Sequence, residues 1–141
     1  MNAVFADTSY FLAFLGDKDQ YHQRAIAWTR ALRAPVVTTE YVVIEVGNSL
    51  TKGDDRAVFV DFYRELRDQA KLEVIPASTE LQDQGAKLFA KRLDKEWSLT
   101  DCISFVVMSD RHLYDALSTD RDFEEAGFRA LLRYEPNDER E

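Results

Sequence analysis

The chain is organised around Val4-Phe5-Ala6-Asp7-Thr8-Ser9, where an apolar run ends abruptly in an acid and two hydroxyls. A second apolar segment, Tyr10–Leu15, follows at once and is typical of a helix. A buried strand that runs into a helix through this turn places the Asp7 carboxylate at the carboxyl end of the strand. Open α/β sheets hold their ligands at that position. Taken alone, the stretch is equally compatible with Asp7 or Ser9 acting only as a helix cap.

Length and composition fit one globular domain. The chain has 141 residues, of which 45% are hydrophobic and 12% are aromatic, enough apolar side chains for one folded core. We expect a single domain over residues 1–134 and a charged tail over residues 135–141. The one cysteine, Cys102, excludes an internal disulfide. With no signal-peptide pattern and no membrane-length apolar run, the sequence predicts a cytoplasmic protein that does not use a membrane.

The apolar patterning predicts strands that alternate with helices. We predict strands over Asn2–Asp7, Val36–Thr38, Leu72–Ile75, Asp115–Ser118 and Phe128–Leu132. We predict helices over Ser9–Leu15, Tyr21–Leu32, Thr39–Thr51, Arg56–Gln69, Thr79–Leu93, Ser98–His112 and Arg121–Ala126. This alternation is typical of the α/β class, so we expect a three-layer α/β/α domain around a mostly parallel sheet of about five strands.

Glu45 lies within an apolar run, Tyr41–Val46. An ionised acid on the buried side of a helix costs several kcal/mol unless it is paired or bound to a cation. The alternative is that Glu45 belongs to a polar stripe with Asn48 and Lys52, three and seven residues further on.

Asp101 and Asp120 also stand beside apolar segments. Asp101 has capping-box spacing from Ser98, and an acid in the first turn complements the helix dipole. That same turn can also project a carboxylate into a cleft. Asp120 comes just after a predicted strand, as Asp7 does, and its alternative role is that of a helix cap or a turn residue.

Together the four acids predict a metal site. Two follow strand carboxyl ends, and two lie at or within helices that a parallel sheet can place beside those ends. Converging carboxylates repel each other unless a hard cation neutralises them. A donor set made only of oxygens favours Mg²⁺ or Mn²⁺.

Other chemistries lack their motifs. The chain has no Gly-x-x-x-x-Gly-Lys-Ser/Thr, no Gly-x-Gly-x-x-Gly and no Gly-x-Ser-x-Gly, so a P-loop, a dinucleotide site and a hydrolase elbow have no support. A receiver-type switch domain would need an acidic acceptor at the end of the third strand, where this chain has Val74-Ile75-Pro76. A phosphatase of the haloacid dehalogenase type would need a second Asp at position 9, which is Ser.

Four motifs in order make the chain resemble the PIN domain family, specifically its VapC-like ribonuclease toxins. They are Asp7-Thr8-Ser9, Thr39–Val46, Trp97–Phe105 and Ser118–Phe128, and the resemblance covers nearly the whole chain. It implies cleavage of RNA by metal-activated water, with Mg²⁺ or Mn²⁺ as the cofactor. It implies catalytic and metal-binding roles for Asp7, Glu45, Asp101 and Asp120, with the hydroxyls of Ser9 and Thr119 supporting the site.

The resemblance also implies partners, namely an RNA substrate, a second copy in a homodimer and a small antitoxin protein. The aromatic side chains Trp28, Phe59, Phe62 and Tyr63 are candidates for an interface between copies. The alternative reading is a catalytically silent PIN-like module that only binds RNA or a protein. The net charge of −8 disfavours passive binding of nucleic acid. Candidates for a local basic rim are Lys52, Arg56, Lys91, Arg92, Lys95, Arg111 and Arg121.

Whether Asp94 or Asp122 joins the site stays open in the sequence. Thr119 and Asp122 have capping-box spacing for the helix that ends before Gly127. This spacing predicts a structural role for Asp122 and leaves Asp120, without such a partner, as the fourth ligand.

Overall fold

Five parallel strands form one sheet in the computed structural model, which describes residues 2–136. The strands are β1 (Val4–Ala6), β2 (Val36–Thr39), β3 (Leu72–Ile75), β4 (Asp115–Leu117) and β5 (Arg129–Ala130). The helices are α1 (Thr8–Leu15), α2 (His22–Ala31), α3 (Glu40–Ser49), α4 (Asp54–Glu65), α5 (Thr79–Lys91), α6 (Leu99–Asp110) and α7 (Arg121–Glu125). No helix among the described residues is long and apolar enough to cross a membrane.

The order of the strands explains why the helices cover both faces of the sheet. The spatial order is β3-β2-β1-β4-β5, so the chain moves outward from β1 to β3 and then crosses to β4 on the other side of β1. Right-handed crossovers therefore place α1–α4 on one face and α5–α7 on the opposite face. Contacts of α1 with α2 and α3, and of α5 with α6, agree with this arrangement. The prediction of a three-layer α/β/α domain is confirmed.

The reversal of strand order at β1 creates the crevice where open α/β sheets bind ligands. Strand β1 lies between β2 and β4, and Ala6 pairs in register with Leu117 of β4. The next residue of each strand segment, Asp7 and Ser118, therefore emerges at the same edge of the sheet. The fold thus brings residues 111 positions apart into one site.

Apolar side chains fix the helices that border this crevice. Trp97 and Phe123 both pack edge-to-face against Phe105, which ties the start of α6 and helix α7 to one aromatic cluster. Gly85 lets α5 approach α6 closely, because a Cβ at this position would lie 2.4 Å from Cγ1 of Ile103. Each buried aromatic or aliphatic side chain contributes about 1.5–3 kcal/mol of transfer free energy.

The predicted bounds are wrong in two places where apolar residues lie in short 3₁₀ turns. The predicted helix Arg56–Gln69 is α4 (Asp54–Glu65) followed by a 3₁₀ turn at Leu66–Asp68. The predicted last strand, Phe128–Leu132, is paired only at Arg129–Ala130 and then turns into a 3₁₀ segment at Leu131–Arg133. Buried side chains at Leu131 and Leu132 produce the same apolar signal as a strand would.

The end of the domain is attached to α2. The Trp28 indole donates to the Tyr134 carbonyl at 2.9 Å, and Arg24 pairs with Glu135 at 2.7 Å. Of the tail predicted over residues 135–141, positions 137–141 lie outside the described residues. The division at residue 134 stays a prediction.

Candidate active site

Asp7 occupies the position between β1 and α1 that the sequence predicts, and it is buried. Its side chain makes no capping hydrogen bond to α1. Oδ2 instead accepts hydrogen bonds from the hydroxyls of Ser118 at 2.9 Å and Ser9 at 3.0 Å. The alternative of Asp7 as a simple helix cap is therefore wrong, and its carboxylate is held at the sheet edge.

Ser118 is the hydroxyl residue that sequence reasoning missed. It is fully buried, donates to Asp7 and accepts the backbone N–H of Asp120 at 3.0 Å. The Ser9 hydroxyl, besides donating to Asp7, accepts the Thr119 N–H at 3.0 Å. In the described part of the chain, Thr119 thus contributes its backbone to this network. The register between β1 and β4 could have identified Ser118. Leu117 pairs with Ala6, so Ser118, the next residue, lies beside Asp7.

Glu45 lies on α3 and faces the start of α1, where the Thr8 hydroxyl donates to Glu45 Oε1. Thr8 is buried and Glu45 is half-buried. Glu45 therefore differs from Asn48, the next residue of the alternative polar stripe, because the Asn48 side chain is exposed. A hydroxyl that orients a carboxylate in this way is typical of the support around a metal-binding acid.

Asp101 combines the two roles that the sequence left open. Ser98 and Asp101 form a capping box at the start of α6: the Ser98 hydroxyl accepts the Asp101 N–H at 3.0 Å, and Asp101 Oδ2 accepts the Ser98 N–H at 3.3 Å. The same carboxylate lies in an acidic group. Carboxylate oxygens of Asp101, Asp120 and Asp122 all lie within 4.8 Å of one another.

Asp120 caps α7, which corrects the predicted roles of the two acids in this segment. Asp120 Oδ1 accepts the Asp122 N–H at 2.8 Å, and Asp120 is the N-cap residue. The predicted capping box between Thr119 and Asp122 is therefore wrong, because the helix begins one residue later than that spacing requires. Asp122 has its carboxylate in the acidic group instead. Asp94 is not a member of this group and forms a two-bond ion pair with Arg92.

Burial and mutual repulsion raise the pKa values of these carboxyl groups. Burial raises the pKa of Asp7 to about 6 against the lowering effect of the Ser118 and Ser9 hydroxyls, and the charge of Asp120 adds to the rise. Burial also raises the pKa of Asp101 to about 7, with further contributions from the charges of Asp7, Asp120 and Glu45. The pKa of Asp122 is raised by burial and then by Asp120.

The charges of Asp7, Glu45 and Asp120 all act on Asp101, and the charge of Asp120 also acts on Asp122. Among the described residues, Asp7, Glu45, Asp101, Asp120 and Asp122 form no ion pair with a basic side chain. A hard divalent cation neutralises such a group, and carboxylate oxygens are its preferred ligands. The fold and the site therefore define an α/β domain with a group of carboxylates at the topological switch point, where their oxygens could hold a hard divalent cation.

Comparison with known families agrees with this class. The model of the PIN domain family matches residues 4–129. The chain belongs to the PIN domain family.

Known proteins similar to this chain include an RNA-cleaving enzyme. The chain is 28% identical over 127 residues to proteins from two Mycobacterium tuberculosis strains described as the 23S rRNA-specific endonuclease VapC20, covering 89% of this chain and 95% of the relative.

The crystal structure of M. tuberculosis VapC20, described as a sarcin–ricin loop cleaving toxin, superposes with a TM-score of 0.82 at 25% identity, over 89% of this chain and 95% of that one. FitAcB from Neisseria gonorrhoeae superposes with a TM-score of 0.64 at 19% identity, over 94% and 97% of the two chains, which shows the shared fold alone.

Proposed function

We propose that this protein is a Mg²⁺- or Mn²⁺-dependent endoribonuclease and the toxin of a toxin–antitoxin pair. The observation that carries the proposal is the convergence of Asp101, Asp120 and Asp122 to within 4.8 Å. The charges of two more acids, Asp7 and Glu45, act on Asp101 and raise its pKa. Membership of the PIN family and the similarity to VapC20 support RNA as the substrate.

We assign metal binding and catalysis to Asp7, Glu45, Asp101 and Asp120, and we add Asp122 to this set. A bound Mg²⁺ or Mn²⁺ supplies an activated water and stabilises charge on the leaving oxygen. Ser118 and Ser9 hold the Asp7 carboxylate in place, while Thr8 holds Glu45. The capping bonds of Asp101 and Asp120 fix the starts of α6 and α7 around the same crevice.

The substrate that we propose is structured RNA, with ribosomal RNA first. VapC20 is described as specific for 23S rRNA and its structure as that of a sarcin–ricin loop cleaving toxin. We also propose that the protein acts in the cytoplasm, where ribosomal RNA is found.

A homodimer is supported by an apolar face on α3 and α4. Ile44, Val60 and Tyr63 are 58%, 43% and 47% exposed. Trp28, a predicted interface residue, is instead buried, so it has no part in this face. If the face is the interface, Ile44→Asp gives a monomer in light scattering while Tyr114→Asp, an exposed aromatic away from α3 and α4, does not. A monomeric wild-type protein at high micromolar concentration would contradict this assignment.

The antitoxin that we propose has a different surface available. An apolar groove between α1 and α4 is lined by Tyr10, Phe14 and Phe62, and the charged residues in its lining are Asp61, Glu65 and Lys71, two acids against one lysine. Such a groove suits an amphipathic segment with basic side chains. Protection of this groove from hydrogen exchange in a copurified complex would support the assignment, and unchanged exchange there would reject it.

Incubation of purified protein with a sarcin–ricin stem-loop, transfer RNA and single-stranded oligonucleotides tests the function. Cleavage of at least one RNA in Mn²⁺, abolished by chelator and by Asp7→Asn, is the expected result. Binding of RNA without cleavage in Mg²⁺ or Mn²⁺ would instead support the alternative of a silent RNA-binding module.

A further inference from the structure

The loop between α5 and α6 brings a cation beside the acidic group. Lys95 lies in this loop, and its Nζ atom is 3.3 Å from Oε1 of Glu125 on α7. Glu125 lies three residues after Asp122 on α7, so the two acids occupy neighbouring positions on one side of that helix. Because Asp122 belongs to the acidic group, Lys95 stands at its border.

Trp97 forms a platform for this cation and for a second one. The indole ring is buried and packs edge-to-face on Phe105, with ring centroids 5.0 Å apart. Arg92 Cζ lies 5.1 Å and Lys95 Nζ lies 5.9 Å from the centroid of the Trp97 ring. These distances are within the range of cation–π attraction, for which tryptophan is the strongest aromatic partner.

The buried indole N–H of Trp97 indicates why a tryptophan occupies this position. Nε1 is buried and has no hydrogen-bond partner among the described residues. A phenylalanine would pack on Phe105 without leaving a donor unsatisfied. The feature that a tryptophan adds here is its stronger attraction for the two cations on its ring.

Each of the two cations forms an ion pair with an acid at the surface, and RNA phosphate would compete with that acid. Lys95 pairs with Glu125 at 3.3 Å and Arg92 pairs with Asp94 at 3.0 Å, and the two acid side chains are 39% and 62% exposed. The exposed Lys95–Glu125 pair contributes little net stability, so an incoming phosphate replaces the partner of Lys95 more readily than the two-bonded partner of Arg92. The ring then keeps both cations near their present positions.

We propose that Lys95 and Arg92, held over the Trp97 ring, bind backbone phosphate of the RNA strand beside the acidic group. This inference rests on the proposed function, because RNA is the ligand. It supplies the local positive charge that a chain with a net charge of −8 needs for contact with RNA. Arg111, another candidate for the basic rim, is instead paired with Glu73 near the amino end of β3, away from the site.

The test measures RNA affinity against salt concentration by fluorescence anisotropy. The probe is a fluorescein-labelled single-stranded RNA, and the Asp7→Asn background with Mg²⁺ keeps it intact. Lys95→Gln and Arg92→Gln should each raise Kd roughly three- to tenfold and reduce the slope of log K against log salt by about 0.7. Lys95→Arg should keep the wild-type slope, and Trp97→Phe should raise Kd about twofold with the slope retained.

Two further variants separate phosphate binding from a structural ion pair. Lys18→Gln removes a lysine in the turn after α1, far from α6 and α7, and should change neither Kd nor slope beyond the general effect of net charge. Glu125→Gln should tighten RNA binding, because it removes the competitor for Lys95. The inference would be overturned if Lys95→Gln and Lys18→Gln had equal slopes of log K against log salt. Weaker RNA binding by Glu125→Gln would overturn it as well.

The outcomes also separate this inference from the proposed function. Cleavage by the protein without substitutions, together with an unchanged slope in Lys95→Gln, rejects the phosphate site alone. A slope that depends on Lys95 in a protein that never cleaves supports the phosphate site and rejects the catalytic proposal. A protein that neither binds nor cleaves RNA rejects both.

Discussion

The hydroxyl of Ser118 donates to the carboxylate of Asp7 at 2.9 Å, across the boundary between β4 and β1. Both residues are buried, and the same hydroxyl accepts the Asp120 N–H. One side chain therefore connects the acid at the end of β1 with the acid at the start of α7. This connection makes the position of Asp7 depend on the pairing of the two strands.

Ser118→Ala should move the acid limb of the pH–activity profile to higher pH. The Ser118 hydrogen bond lowers the pKa of Asp7 against the effect of burial, so its loss raises that pKa further above about 6. Ser104→Ala, which removes another buried hydroxyl, one on α6 that donates to the Thr100 carbonyl, is the matched control. An equal shift in both variants would show that the effect is not specific to Asp7.

The metal-free protein should lose stability as pH rises. The pKa of Asp7 in the folded state is about 6 and that of Asp101 about 7, above the values near 4 in an unfolded chain. The folded state therefore binds more protons than the unfolded state between about pH 4 and pH 7, and the free energy of unfolding falls across that window. Asp7 alone accounts for about 3 kcal/mol at most, as each pKa unit is worth about 1.4 kcal/mol.

Thermal melts from pH 4 to pH 8, with and without Mg²⁺, check this dependence. Asp7→Asn should flatten the fall, and Mg²⁺ should raise the melting temperature more at pH 8 than at pH 5, because the ligands must be ionised. A metal-free stability that rises between pH 5 and pH 7 would contradict the convergence of these acids.

Asp120 and Asp122 should both contribute to metal binding, while Asp120 also caps the helix through its hydrogen bond to the Asp122 N–H. Asp120→Asn keeps an acceptor for the Asp122 N–H, so its melting temperature should stay near that of the wild type, whereas Asp120→Ala should lose about 1 kcal/mol. Asp122→Asn should leave α7 intact. Calorimetric titration with Mn²⁺ should show weaker binding in both Asn variants. Wild-type affinity in Asp122→Asn would remove this residue from the ligand set.

Thr8→Val should lower activity with little loss of stability. The substitution keeps the shape of a buried side chain and removes the hydroxyl that donates to Glu45. Loss of such support around a metal ligand costs roughly 10-fold or more in activity or metal affinity. Thr8→Ser keeps the hydroxyl and should stay close to wild type, as measured by kcat and by the Mn²⁺ concentration for half-maximal rate. Similar rates for Thr8→Val and Thr8→Ser would show that Glu45 needs no such support.

The sequence predicts the fold well because each strand is a short apolar run and each helix carries recognisable start or stop residues. Asp7 is the candidate site residue that the sequence indicates most clearly, since the turn from β1 to α1 is local in sequence. The roles within Ser118–Asp122 are harder to predict, because two capping patterns overlap and only the helix start selects Asp120. The contact between Ser118 and Asp7 depends on strand register, and the position of Lys95 over Trp97 depends on how the loop before α6 packs. Neither contact can be predicted from the spacing of residues along the sequence.

RNA cleavage by the purified chain tests the metal-dependent nuclease most directly when it is measured in excess chelator and then in added Mn²⁺, with Asp7→Asn and Asp101→Asn beside the wild type. We expect no cleavage in chelator, full recovery on addition of Mn²⁺ and no recovery in either variant, while all three proteins melt cooperatively. Cleavage that persists in chelator, or that survives in a folded Asp7→Asn protein, would contradict a metal-dependent nuclease built on these acids.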